Sequence, residues 1–555
     1  MTPIRLLALA GSALSLLVAA PVGAQRSNPM STATAASPIV HAPVGAVQGT
    51  VEGDVHVFRG IPYALPPVGE RRWRAPEPMP KWDGVRAATA FGPACVQPAP
   101  KLSNIYAGNP VPMSEDCLSL NIWAPAHAKN APVFFWIYGG ALWGGANRDP
   151  MYDGKRMAER GVVVVAINYR LGVLGWLAHP ELSAENKDGL SGNYGLLDQI
   201  RALHWVRDNI ASFGGDPANV TIAGESAGGL SVMYLMTSPP ARGLFAKAIA
   251  QSAYMISTPE LKTAKYGAPS SEQAGVALGA AVQAPTLAAL RAMDAEKLTM
   301  AASAAGFGPW GAIDGRILPD QIVTVFDHGQ QAPVPLLAGF NQGEIRSLTV
   351  LAPPVPSSAA DYERIIRERY GDLADAFLRL YPSSNMKESI LATTRDSLYG
   401  WTAQRLAKKQ TALRQPAYLY MFDHGYPAAD TAGLHAFHAS ELPFTFGNFD
   451  GTPPLWPKVP DSAQERAFSD AMTDYWTSFA RTGHPVAAHH PDWPAYGQAG
   501  NYMHFTGAPT PEKDLMPGMY DLLEQQMCRS RASGTIAWNW LVGLWSAKLP
   551  AETCD

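Results

Sequence analysis

Val220-Thr221-Ile222-Ala223-Gly224-Glu225-Ser226-Ala227-Gly228 is the stretch on which the fold turns. Its first four residues are apolar or β-branched, its last five fit Gly-x-Ser-x-Gly, and Leu230 to Met236 beyond them reads as a helix. A strand that enters a helix through such a pentapeptide makes a sharp turn that lifts the serine oxygen out of a sheet, with glycines permitting close backbone approach. The pentapeptide alone is weak: with 50 glycines in 555 residues, about 0.3 matches arise by chance at average serine usage. Its placement between strand and helix carries the reading.

Upstream, Val133 to Tyr138 (Val-Phe-Phe-Trp-Ile-Tyr) and Gly161 to Ile167 (Gly-Val-Val-Val-Val-Ala-Ile) are short continuous apolar runs, the pattern of strands covered on both faces. Between the second of these and Val220, Leu196 to Ile210 places Leu196, Leu197, Ile200, Leu203 and Val206 or Ile210 at helical spacing. Strand, helix, strand in that order predicts an α/β fold with a mostly parallel, doubly wound sheet. Glu272 to Ala305 and Asp361 to Leu380 are Ala/Leu-rich helical stretches, interrupted by Pro285 and Gly371, and read as insertions above the sheet. With no internal repeat and no long linker, residues 39–555 are expected to form one large domain with a cap, although a length of 555 sets a prior of three or four domains at ~150 residues each.

Composition narrows the function. The chain is 47% apolar and 16% charged, below the roughly 25% charged of ordinary soluble domains, so a large buried core is expected. Lys plus Arg number 43 against 47 Asp plus Glu, and no basic run could track a phosphate backbone. Nucleic acid is not an expected partner. No dinucleotide fingerprint and no Cys-x-x-Cys occurs, so neither a cofactor nor a metal site is expected.

Residues 1–24 carry Arg5, an apolar stretch from Leu6 to Ala20 and the small-residue ending Val22-Gly23-Ala24. This reads as an export leader cleaved near Ala24, since the apolar run falls short of the ~20 residues that span a bilayer. Periplasmic or secreted localisation follows, with residues 25–38 as a flexible mature N-terminus. An oxidising compartment lets the four cysteines, Cys95, Cys117, Cys528 and Cys554, pair in three ways. The sequence-local way joins Cys95 to Cys117 and Cys528 to Cys554; buried free thiols are the alternative. Trp538, Trp540, Leu541, Leu544 and Trp545 form an apolar stretch, too short to span a membrane, that either packs on the core or contacts an interface. Asn219-Val220-Thr221 fits a glycosylation pattern but leads into a buried strand.

A serine nucleophile needs donors aimed at the oxyanion, and Tyr138-Gly139-Gly140-Ala141 supplies a Gly-rich loop after an earlier strand. With these residues in place the chain resembles the type-B carboxylesterases, the cholinesterase-like branch of the α/β-hydrolases. Phe213 to Gly228 is similar to that family's serine signature, and Glu115 to Pro125 to its second signature, whose cysteine closes a disulfide with an upstream partner, here Cys95. Phe58 to Ala64, Asn168 to Gly172 and Trp476 to Pro485 extend the resemblance, which covers Ile39 to Thr506.

The resemblance implies the chain order Ser226, Glu344, His438 for a catalytic triad. Gly339 to Glu344 is similar to the family's acid loop, although Gly343 and Ile345 stand where the family usually has an acidic residue and a glycine. Asp314 is the competing acid, in a segment resembling a non-catalytic turn. His438 to Gly447 resembles the family's histidine segment and favours His438 over His435. The resemblance also implies an oxyanion hole of the Gly140, Ala141 and Ala227 amides. Glu225 and Ser252 are expected to support the triad, or to be ordinary buried hydrogen-bonding groups.

An ester is the implied substrate, of small or medium size. The loop from Val96 to Asp116 holds Tyr106 but no Trp, whereas the cholinesterases use a Trp there to hold quaternary ammonium, so a choline ester is disfavoured. Leu142 and Trp143 either line an apolar pocket or pack, and Arg346 either attracts an acidic substrate or is solvated. Amides, carbamates or lipids are the alternative substrates of the same machinery. A non-catalytic binding role, known among the family's adhesion proteins, fits poorly with retention of Ser226, Glu344 and His438.

Overall fold

Strands that read as unbroken apolar runs lie where both faces are covered. In the computed structural model, which describes residues 37–99, 104–538 and 541–551, every residue of Ala131–Ile137 and of Val163–Ile167 is buried. The leader expected at 1–24, the tail expected at 25–38 up to residue 36, Trp540 and Cys554 lie outside the described residues. From Ser37 the chain forms one compact unit.

Its centre is an 11-stranded sheet. In chain order the strands are β1 (Thr50–Glu52), β2 (Val55–Pro62), β3 (Ser119–Pro125), β4 (Ala131–Ile137), β5 (Val163–Ile167), β6 (Gly215–Glu225), β7 (Lys247–Gln251), β8 (Leu336–Asn341), β9 (Ala417–Phe422), β10 (Asn501–Phe505) and β11 (Pro509–Lys513). In space they run β1-β2-β3-β5-β4-β6-β7-β8-β9-β10-β11. The pairings from β5 through β10 are parallel, while β1 to β3 and β11 are joined antiparallel. The chain steps from β4 to β5 on one side and then back across β4 to β6. At such a reversal the loops beyond the strand ends part and leave a crevice, the usual ligand position in open α/β sheets.

Helix α1 (Tyr194–Asn209) joins β5 to β6 and buries Leu196, Ile200, Leu203 and Val206, while Leu197 is only partly covered. Helix α2 (Ala227–Thr237) follows β6 and is buried along its whole length. The insertions form as helices: Ser271–Ala281 and Leu287–Ala292 are separated around Pro285, Ala359–Tyr370 gives way at Gly371 to Ala374–Leu380, and a further break not expected from the sequence falls at Met293-Asp294, where Asp294 caps Ala295–Ala304. A π-helical segment, Asp396–Gly400, lies between the helices Met386–Arg395 and Trp401–Ala412.

Cys95 and Cys117 form a disulfide, and Cys528 is also disulfide-bonded. Trp538 is fully buried in the main core, whereas Leu541 and Trp545 remain exposed. Among the described residues no helix is long and apolar enough to cross a membrane.

The close approach of α2 to the sheet depends on Gly228, where an added Cβ would lie 2.0 Å from the Ile137 carbonyl oxygen. Backbone cannot yield as a flexible side chain does, so Gly228→Ala should destabilise the fold by about 1–3 kcal/mol or more. A lowered urea midpoint with unchanged slope is the expected result.

Candidate active site

Ser226 stands between β6 and α2 with φ 56° and ψ −120°, a backbone conformation costly for a residue with a Cβ. Its amide donates to the Gln251 carbonyl of β7 and its own carbonyl accepts from Leu230, both at 2.9 Å. These bonds and the surrounding close packing hold the strained turn in place. The side chain sits at the α2 N-terminus, where helix amides without intrahelical partners favour negative charge.

The loop after β4 lies directly against this turn. At Gly139 an added Cβ would come within 2.7 Å of the Glu225 carbonyl oxygen and 3.0 Å of Ser226 Cβ. Ala141 and Leu142 both adopt positive φ, 55° and 60°. The segment after β5 braces this loop: Tyr169 donates its hydroxyl to the Tyr138 carbonyl at 2.9 Å, and the Gly172 amide donates to the Leu142 carbonyl at 2.7 Å. Arg170 in turn grips the buried Asp198 of α1 with three hydrogen bonds of 2.7–3.0 Å. Among the described residues the backbone N–H groups of Gly140, Ala141 and Ala227 donate to no protein acceptor. Leu142 is core, and Trp143 packs edge-on against Phe307 of the cap.

Glu344 and His438 meet, although 94 residues separate them. His438 Nδ1 is 2.5 Å from Glu344 Oε2, and the other carboxylate oxygen accepts from the Asn341 amide at 2.8 Å. Asp314 is occupied elsewhere: it accepts the amides of Arg316, Ile317 and Leu318 and the side chain of Asn193, and so shapes a turn. His435 binds Asp423 and Asp430 instead. Arg346 pairs bidentately with Glu388 at 2.6 and 3.2 Å in a partly exposed ion pair, so its charge is already engaged by a carboxylate.

His438 Nε2 faces Glu225 Oε1 at 3.1 Å. Among the described residues no hydrogen bond joins Ser226 Oγ to the imidazole, and Ser252 Oγ is buried without a partner. Glu225 therefore contacts the imidazole directly, while Ser252 contributes its backbone, donating its amide to Gly339 at 2.8 Å.

Three neighbours of the imidazole escaped the sequence reading. Glu441, fully buried, accepts from Gln251 Nε2 at 3.1 Å and Asn341 Nδ2 at 2.6 Å, and so ties the ends of β7 and β8 together. It lies inside the His438 segment, but nothing in its sequence neighbourhood distinguishes it from a surface glutamate. Tyr106 donates its hydroxyl to the His438 carbonyl at 2.9 Å and shares a hydrogen bond with Ser347. Tyr399, from the π-helical segment, lays its ring 5.3 Å from that of His438. A π-bulge leaves no periodic trace in sequence, and such bulges are frequent at functional sites.

The imidazole thus sits among three buried carboxylates. Burial pushes Glu225 up to about 8 and Glu441 up to about 7. Burial alone would lower His438, but the carboxylates of Glu225 and Glu344 outweigh it and raise the imidazole to about 9.

A serine held at a strained strand-to-helix joint, at the carboxyl end of a doubly wound parallel sheet, makes the protein an α/β-hydrolase. The model of the carboxylesterase family matches residues 36–528, and the chain belongs to that family. It is a carboxylesterase, a hydrolase of carboxylic ester bonds. It is 37% identical to the fumonisin B1 esterase of Sphingopyxis macrogoltabida over 504 residues, 88% of each chain. To the para-nitrobenzyl esterase of Bacillus subtilis it is 38% identical over 466 residues, 82% of this chain and 92% of that one. The solved carboxylesterase of Geobacillus stearothermophilus superposes with a TM-score of 0.75 at 35% identity, covering 87% of this chain and 99% of the other.

In a histidine-resolved NMR titration, His438 should titrate above the ordinary 6.5, near about 9. Glu225→Gln removes one of the two carboxylates that hold its proton and should move the midpoint down. An unmoved midpoint would show that Glu225 does not act on the imidazole.

Proposed function

We propose that the protein hydrolyses small to medium carboxylic esters through Ser226 as nucleophile, His438 as general base and Glu344 as the acid that orients it. The hydrogen bond between His438 and Glu344 beside the strained Ser226 is the observation that carries this reading. His438 takes the Ser226 proton as Oγ attacks the ester carbonyl, then returns it to the leaving alcohol, leaving an acyl-enzyme. Water attacks that ester by the same route in reverse roles. Glu344 fixes the tautomer with the proton on Nδ1 and stabilises the imidazolium. The Ser226 hydrogen bond forms as substrate enters, since catalytic hydrogen bonds are often long before it does.

The free amides of Gly140, Ala141 and Ala227 are suited to receive the oxyanion, each donor contributing about 3 kcal/mol to the transition state. Tyr106 and Tyr399 flank the imidazole with aromatic rings, and Trp456 packs behind Tyr106, which suits an uncharged ester. Export fits the same picture: the leader at residues 1–24 and the Cys95–Cys117 disulfide both suit a protein that works outside the cytoplasm. N-terminal sequencing of the exported protein should begin at or beside Gln25; an intact Met1 would overturn that part.

Ser226→Ala should leave the fold intact and lower turnover of p-nitrophenyl esters by on the order of 10⁶. A panel from acetyl to long acyl, with a matching anilide, locates the chain-length optimum and separates ester from amide or lipid specialisation. Undiminished hydrolysis by Ser226→Ala would exclude this mechanism.

A further inference from the structure

A run of paired side chains with no part in the proposed mechanism lies beside the loop that carries His438. Asp423, just past β9, stands between two imidazoles: Oδ1 is 2.9 Å from His435 Nε2, and Oδ2 is 3.1 Å from His504 Nε2 on β10. The run continues at both ends. His435 Nδ1 is 2.9 Å from Asp430, and His504 Nδ1 is 3.1 Å from Glu512 on β11, which also accepts the Tyr502 hydroxyl. The adjacent His424 is engaged separately, 2.8 Å from Glu465.

His435 is three residues before His438, and its backbone takes φ 51°. A residue with a Cβ holds that conformation only when its surroundings enforce it, and here two aspartates grip its ring from opposite sides. The segment it anchors is joined to the acid loop by backbone: the Gly343 amide donates to the Ala436 carbonyl at 2.8 Å, and Gly343 pairs with Phe437. A Cβ at Gly343 would lie 2.7 Å from the Leu434 oxygen and 2.8 Å from that of Ala436. The bare backbone at Gly343 lets the acid and histidine loops approach this closely.

We propose that His435, clamped between Asp423 and Asp430, is a positioning residue that fixes the turn bearing His438 so that its imidazole meets Glu344. It touches no reacting atom and acts through the Ala436–Gly343 backbone bond. The inference rests on the triad reading above. The charges suit a clamp: hydrogen bonds donated to Asp423 and Asp430 raise His435 above its ordinary value against the opposing effect of burial, and His504 is raised in the same way by Asp423 and Glu512. Burial would raise Asp423, but His435 and His504 bring it down to about 2. The His435 side chain is 38% exposed, so the pairs add little stability. A displaced base, in contrast, is expensive: about 1 Å can cost on the order of a hundredfold in rate.

The test measures kcat and KM on a p-nitrophenyl ester, with reactive sites counted by a fluorophosphonate label, for wild type, His435→Ala, His435→Gln and Asp430→Asn. In His435→Ala, kcat per labelled site should fall about tenfold or more with KM within about twofold, the signature of a misplaced catalytic group. His435→Gln keeps an N–H for one aspartate and should recover part of the loss. Asp430→Asn removes the charge of one jaw at a half-exposed position but keeps an acceptor oxygen, and should give a smaller fall. An unchanged kcat per site in His435→Ala, with only thermal stability or the labelled fraction reduced, overturns the clamp. If His435→Ala does not fold, His435→Gln decides: a kcat per site equal to wild type overturns the clamp. Ser226→Ala, run alongside, separates the two readings: turnover surviving in it overturns the triad, and the clamp with it.

Discussion

The joint between β6 and α2 is the constraint on which the rest of the structure depends. Ser226 holds a left-handed backbone only because β7 accepts its amide and α2 lies close enough to the sheet to bury the turn. That closeness needs glycine at 228, and the nearness of the β4 loop needs glycine at 139. The same packing brings three free backbone amides to the serine. Strain, bare backbone and donors therefore form one arrangement, and none could be relaxed without losing the others.

A second arrangement balances charge where water is scarce. Glu344, Glu225 and Glu441 are all buried around one imidazole, and unpaired buried carboxylates are costly. The cost is offset in two ways. His438 sets Nδ1 against Glu344 and Nε2 against Glu225, while Asn341 and Gln251 donate to Glu441. The ends of β7 and β8 are therefore part of the electrostatics as well as the scaffold. Trp476 extends this network by donating to Gln251 at 3.1 Å.

The legible features were those written in contiguous residues. The apolar runs of β4, β5 and β6, the periodic face of α1, the breaks at Pro285 and Gly371 and the pentapeptide around Ser226 all depend on neighbours in sequence, and all formed. The segments around Glu344 and His438 were found by resemblance, and the two side chains meet. Glu441, Tyr106 and Tyr399 escaped because their roles are defined by partners far away along the chain. Tyr106 meets the His438 carbonyl across 332 residues, and Glu441 meets Gln251 across 190. The partner of Arg346 is not legible in sequence either, because Glu388 lies in a separate helix.

Periodicity and composition in this sequence determine an α/β chain with a parallel sheet and a serine at a strand-to-helix turn, because strand, helix and turn preferences act between residues close along the chain. Only the tertiary structure decided which of Glu344 and Asp314 meets a histidine, and which of His435 and His438 it meets. Those choices depend on loops from β8 and β9 converging over the sheet, and on Asp423 and Asp430 having already taken His435. Hydrogen bonds of 2.5–3 Å leave no trace in a one-dimensional pattern when their partners are brought together by the fold alone.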